Sequence, residues 1–349
     1  SQLRDGGGKI ARECWPGRAG GRSRGEHHRP ARDCTLIGLD KIAAPMRSDR
    51  QDRGFGHHGR VDRGSRSLEA RNQLVAAHVA VVVDPVVRDA WQSVHPVGRQ
   101  QAQALPALLA PAVGELAALE AEITACRRCP RLVEWREEVA RTKRAAYADE
   151  EYWGRPVPGF GDPAAWLLIA GLAPGAQGAN RTGRMFTGDR SGDWLYGSLH
   201  AAGLASQASS SARDDGLALT GAWITAIVRC APPANRPATA ERDECLPWLE
   251  QEIPLLPSVR VVVALGGFAW TNTLRALEAL GCTIPRPRPK FGHGAEAVLD
   301  SSGSSSIVAD RLLLLGSYHP SQQNTFTGRL TREMLDAVWE RAKELRAGG

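Results

Sequence analysis

Two pairs of cysteines are spaced to act together. Cys126 and Cys129 stand in Cys126-Arg-Arg-Cys129-Pro130, and Cys230 and Cys245 have fourteen residues between them. Four thiolates suit either zinc or a [4Fe–4S] cluster. Pro130 and the stretch Ala231-Pro-Pro-Ala-Asn-Arg-Pro-Ala-Thr239 suit a cluster held in loops. The competing reading makes Cys230 and Cys245 small buried hydrophobes. Cys14, Cys34 and Cys282 have no partner at useful spacing. Two polar loops hold the remaining chemistry. One runs Gly171-Leu-Ala-Pro-Gly-Ala-Gln-Gly-Ala-Asn-Arg-Thr-Gly-Arg-Met-Phe-Thr-Gly-Asp189; the other runs Ser317-Tyr-His-Pro-Ser-Gln-Gln-Asn-Thr-Phe-Thr-Gly-Arg-Leu-Thr331. Glycines in the first let the chain approach a ligand closely. Neither contains a lysine, which argues against a Schiff-base nucleophile.

These loops need a scaffold, and the apolar runs supply one. Trp166–Ala170, Trp223–Val228, Val259–Leu265 and Leu312–Leu315 are of strand length, and each ends at a turn signal. Asp193–Ala202, Thr239–Ile253, Ala269–Leu280 and Thr331–Arg346 have helical spacing; so does Glu115–Cys126, with Leu132–Thr142 expected to continue it. Continuous apolar strands between helices predict a parallel sheet covered on both faces. The expected fold class is therefore α/β: a three-layer α/β/α sandwich around a four-stranded, mostly parallel sheet. Such a sheet places ligands outside the carboxyl ends of its strands, where the two polar loops begin.

The chain divides near residue 112. Residues 1–112 hold 18 Lys+Arg against 11 Asp+Glu, and residues 113–349 hold 26 against 27, so the whole excess of the +6 net charge lies in the first third. Residues 1–75 are Gly-, Arg-, Asp- and His-rich and cannot bury enough surface to offset their ordering entropy. They read as a disordered basic extension that adds nonspecific DNA affinity, or, the favoured alternative, as sequence upstream of a misassigned start codon. An apolar run covers Val75–Val87, and Ala102–Ala112 resembles a linker. The expected domain spans 113–349. No run of eighteen apolar residues predicts a membrane span, and Ser1–Arg32 lacks the order of a secretory signal.

The two loops and the ordered cysteines resemble the uracil-DNA glycosylase superfamily, and within it the type B, or family 5, enzymes of bacteria and archaea. The resemblance covers about residues 115–346. It implies a monofunctional repair enzyme that flips a base out of DNA, single- or double-stranded, and hydrolyses its glycosidic bond. It implies a structural [4Fe–4S] cluster on Cys126, Cys129, Cys230 and Cys245, a monomeric state, and a cytoplasmic, nucleoid-associated location in a prokaryote. Phe186 stands where the superfamily stacks a phenylalanine on uracil. His319, at the end of the last strand, would donate to charge developing on the departing base.

Departures from better-known members narrow the expectation. Those enzymes place Asp or Asn in the first loop where this chain has Ala173, and related iron–sulfur members read uracil with an Asn where it has Ala226. Both absences match type B and imply a relaxed base range: uracil, hypoxanthine and xanthine. The catalytic candidates are then His319, Asn180 and Asn235. The substrate-contacting candidates are Gly171, Ala173, Gln177, Phe186, Ser321, Arg184 and Arg329, with Arg181 a further phosphate contact. Asp189 reads as an N-cap. The minor-groove wedge position holds Gln323, with Phe326 as substitute. The competing classes are a non-catalytic cysteine-cluster DNA-binding module and a covalent uracil-trapping relative.

Overall fold

The computed structural model describes residues 110–301 and 309–348. The expectations for the basic extension and for Val75–Val87 lie outside the described residues. The Ala102–Ala112 linker does so up to residue 109; its last residues instead open helix α1 (Ala110–Ala125). Helix α2 (Pro130–Thr142) is separate from α1 rather than its continuation. Pro130 favours a new start here, because proline's fixed φ and missing N–H suit the first position of a helix. Cys126 to Cys129 are thereby turned out into a loop.

Seven strands form one sheet in the order β1-β3-β2-β4-β7-β6-β5. Its centre is the expected parallel set: β2 (Leu167–Gly171), β3 (Ala222–Ala226), β4 (Val261–Leu265) and β7 (Arg311–Ser317). Three antiparallel additions extend the edges: β1 (Phe160–Gly161) on β3, and β6 (Glu296–Ser301) then β5 (Cys282–Thr283) beyond β7. The sheet is thus wider than four strands. β1 and β5 are two residues each, too short for a pattern, and β6 alternates exposed and buried positions instead of forming an apolar run.

Every residue of β2, β3 and β4 is buried, as strands covered on both faces must be. Leu168, Val262 and Leu314 pack with Leu116 and Ile123 of α1, Leu249 of α5 (Thr239–Glu252), and Trp270 and Leu274 of α6 (Gly267–Ala279). Their neighbours Leu167, Val261 and Leu315 pack on the other face with Leu195 and Leu199 of α4 (Arg190–Ala201), and with Leu335 and Trp339 of α8 (Arg332–Gly348). Burying each Leu, Ile or Val contributes about 1.5–3 kcal/mol, and period-two alternation splits that gain between two layers. Register aligns Gly171 with Ala226, and Leu265 with Ser317. The loops after these four residues share one edge of the sheet.

Candidate active site

Gly171 ends β2, and a Cβ there would lie 3.0 Å from the Phe186 ring, close enough to force the ring to shift. The glycine lets that ring lie against the strand end. Phe186 has a left-handed backbone, φ 54°, a conformation that costs a non-glycine residue about 1–3 kcal/mol. Its carbonyl is crowded by Gly192 at the start of α4, where a Cβ would clash outright. Tyr196 of α4 donates to the Met185 carbonyl at 2.7 Å. Strand end and helix together therefore impose the strained turn and leave the ring half-buried.

His319 follows β7 at the same edge. Its ring centroid lies 5.7 Å from that of Phe186, tilted 32°. Gly266, with φ 93° after β4, lies behind it; a Cβ there would touch the His319 Cβ at 3.5 Å. The His319 carbonyl accepts from Asn324 Nδ2 at 2.8 Å. Ser321, expected at substrate, caps the short helix α7 (Gln322–Phe326), accepting from the Asn324 N–H. The residue keeps some exposed surface, yet enclosure of its ring lowers the imidazole pKa to about 4 by desolvation. His319 is therefore neutral at pH 7, a donor through one nitrogen only.

The first loop is braced from within. Asp189 N-caps α4, accepting from the Gly192 N–H at 3.0 Å, as expected. Its other oxygen presses on Gly175 and Gly178, where any Cβ would collide. Those two glycines make room for Asp189 rather than for a ligand, and burial raises that carboxyl's pKa. Gln177 accepts from the Tyr152 hydroxyl at 2.6 Å. Ala173 is half-buried and packs on the layer that holds α1 and α5. Asn180, in the short helix α3 (Ala179–Thr182), is fully buried. Its Nδ2 donates to the Arg136 carbonyl at 3.2 Å, and its Oδ1 has no protein partner. Asn235 is exposed in the loop after β3, left-handed at φ 54°; no contact joins it to Phe186 or His319 among the described residues.

The arginines divide. Arg184 and Arg181, expected at phosphates, are both buried. Arg184 pairs with both oxygens of Asp215 at 2.8 Å and bonds Thr187, Ser210 and the Arg213 carbonyl. Arg181 bonds Glu150 and the carbonyls of Gln177 and Gly188. Guanidinium groups committed in this way hold the loop and are unavailable to DNA. Arg329 is exposed, lying 4.6 Å over the Tyr318 ring. Gln323 and Phe326 are exposed too, Phe326 at 65%, with Arg190 4.6 Å over its ring.

Cys126, Cys129, Cys230 and Cys245 line one small cavity together with Arg229, Glu244 and Trp248. All four are free. Burial pushes the Cys230 and Cys245 thiols up, to about 11 and about 12. Arg136 reaches in from α2, donating to Cys230 Sγ at 3.1 Å and to the Cys126 carbonyl at 3.2 Å. The Arg229 N–H donates to Cys245 Sγ at 3.2 Å. Beneath this loop, Glu252 is buried and accepts from Arg229, Thr225 and Trp223. Arg131 ties α2 to α5 through both oxygens of Glu241, at 2.7 and 2.6 Å. Among the described residues no three His, Cys, Asp or Glu side chains are placed to hold a single metal ion.

Sequence reasoning missed Arg136, Gly266 and Tyr152. Arg136 had a signal: it occupies a core position of the α2 stripe Leu132, Val133, Arg136, Val139, where an arginine needs a buried partner.

A family model described as "Uracil DNA glycosylase superfamily" matches residues 158–343. A protein of Mycobacterium tuberculosis named "Type-5 uracil-DNA glycosylase" is 55% identical over 238 residues, 68% of this chain and 84% of its own length. One of the same name from Thermus thermophilus is 54% identical over 223 residues, 64% and 94% of the two chains. A "Type-4 uracil-DNA glycosylase" of Pyrobaculum aerophilum is 36% identical over 175 residues, 49% and 74%.

Proposed function

The chain belongs to the uracil-DNA glycosylase superfamily, and from that premise we propose that it removes uracil from DNA by hydrolysing the N-glycosidic bond, opening base excision repair. The observation that carries the reading is the pairing of Phe186 with a neutral His319 at the ends of β2 and β7. A flipped base stacks on the half-buried ring. The imidazole N–H then donates to a base carbonyl on which negative charge grows as the bond lengthens. No proton need be removed from the histidine first, because burial keeps it neutral. Asn180 is assigned to the attacking water, as the Oδ1 without a protein partner is an acceptor for a water proton. Asn235 and Arg329 serve the DNA side of the site, both being exposed.

The base range extends to hypoxanthine and xanthine. Ala173 and Ala226 offer no polar atom that would reject a purine by leaving it unpaired. Phe326, exposed on α7, is the wedge candidate.

The four cysteines hold a structural [4Fe–4S] cluster. One observation supports an anionic thiolate-bound group there. Among the described residues the buried Arg136 guanidinium has only the half-exposed Glu137, at 3.8 Å, as a carboxylate neighbour, and it already donates to Cys230 Sγ, so an anionic group on the four thiolates would balance its charge. When bound, the cluster contributes folding energy by pinning the α1–α2 loop to the loop after β3.

The test is single-turnover cleavage of matched oligonucleotides carrying uracil, hypoxanthine, xanthine or no damage. Uracil release without a DNA-protein adduct supports hydrolysis. A denaturant-stable adduct would instead point to covalent trapping, and an inert protein to a binding module.

A further inference from the structure

We propose that His293 is a positioning residue for the reaction: its Nδ1 accepts the Tyr318 backbone N–H and so fixes the adjoining His319 against Phe186. The inference rests on the reading of His319 as the donor to the departing base. Tyr318 N to His293 Nδ1 measures 3.2 Å. The two rings stack at 5.2 Å, 30° apart. A backbone amide one residue from the reacting group is thus satisfied by a side chain, not by a strand partner.

The turn that presents His293 is fastened to the strand that presents His319. The Gly294 N–H donates to the Gly316 carbonyl at 2.7 Å, and the Gly316 N–H to the Ala295 carbonyl at 2.8 Å. A Cβ at Gly316 would collide with the Gly292 carbonyl, so the two backbones are in direct contact. Phe291 closes the other side, edge-on to Tyr318 at 6.2 Å. The His293 ring also bonds the Met334 backbone, while burial lowers the imidazole pKa. The neutral form, with Nδ1 free to accept, is the one that fits. His319 has Gly266 at its Cβ and Asn324 on its carbonyl; His293 adds the hold on its N-terminal side.

Three variants separate this role from mere packing. His293→Phe keeps the stack and removes the acceptor. His293→Asn places Oδ1 where Nδ1 stood and loses the ring. His319→Ala tests the underlying reading. The measurements are single-turnover uracil release, affinity for uracil-containing DNA, and thermal unfolding. His293→Phe should slow release by roughly 10- to 100-fold, the scale of a misplaced catalytic group, with DNA affinity little changed. His293→Asn should recover to within about threefold of the parent, although it packs less well. If His293→Phe does not fold, His293→Gln replaces it, since its acceptor lies one bond too far out, and it should be slow where Asn is fast. A fast Phe or Gln variant, or an Asn variant as slow as either, overturns the proposal. A fully active His319→Ala would overturn the reading beneath it instead.

Discussion

Two neighbouring side chains, Phe186 and His319, carry opposite burdens: one is strained in its backbone, the other stripped of solvent. The His319 shift has a definite sign. Its folded pKa of about 4 lies below the ordinary 6.5, so between those values the unfolded chain binds a proton that the folded chain refuses. Stability should therefore fall as pH drops through that window. The single-turnover rate should be flat from pH 9 down to about pH 5, with no inflection near 6.5. A rate halved near pH 6.5 would show a solvated imidazole. Gly171→Ala tests the other partner. Its Cβ would meet the Phe186 ring at 3.0 Å, so the ring must shift; uracil release should drop at least about tenfold with unfolding temperature little altered. Unchanged release would separate Phe186 from the pocket. At this scale the sequence motifs singled out Phe186 and His319, which the fold brings within 5.7 Å of each other. The sequence misled at Arg184 and Arg181, because charge alone does not tell a solvated arginine from one buried against Asp215 or Glu150.

The elements were readable to the extent that they were periodic. The four central strands and six of the described helices follow directly from apolar runs and 3.6-residue spacing. β1, β5 and β6 escaped because two-residue strands have no period and β6 is half-exposed. Helices α3 and α7, four and five residues long, lie inside loops whose glycines and prolines hid them. Glu252 on α5 anchors the end of β3 through Thr225 and the loop after it through Arg229. Glu252→Ala would leave Arg229 buried without its carboxylate, which costs about 3–5 kcal/mol; chemical denaturation should show that loss. The same loop supplies Cys230. Cys126→Ser and Cys245→Ser should each lose bound iron and visible absorbance, and with them much of the folded protein. Iron analysis and thermal unfolding of fresh protein check this, and a colourless variant of unchanged stability would remove the cluster from the account.

At the scale of the molecule, chemistry and charge are separated along the chain. The site and its scaffold lie within residues 110–348, and the excess positive charge lies before residue 113. Removing residues 1–109, which leaves α1 whole, should preserve uracil release at low salt. Any loss should appear in DNA binding and shrink as salt rises, since the charge removed is positive. A soluble truncated protein without activity would make the extension part of the working enzyme. DNA affinity resides chiefly in phosphate contacts, so binding and chemistry can be separated at a single residue. The most direct measurement of the central claim is therefore His319→Ala, assayed for single-turnover uracil release and, independently, for affinity to the same DNA. The account predicts a rate lower by about 10²–10³, with affinity changed about tenfold or less. A variant that cleaves uracil at the parent rate would contradict it.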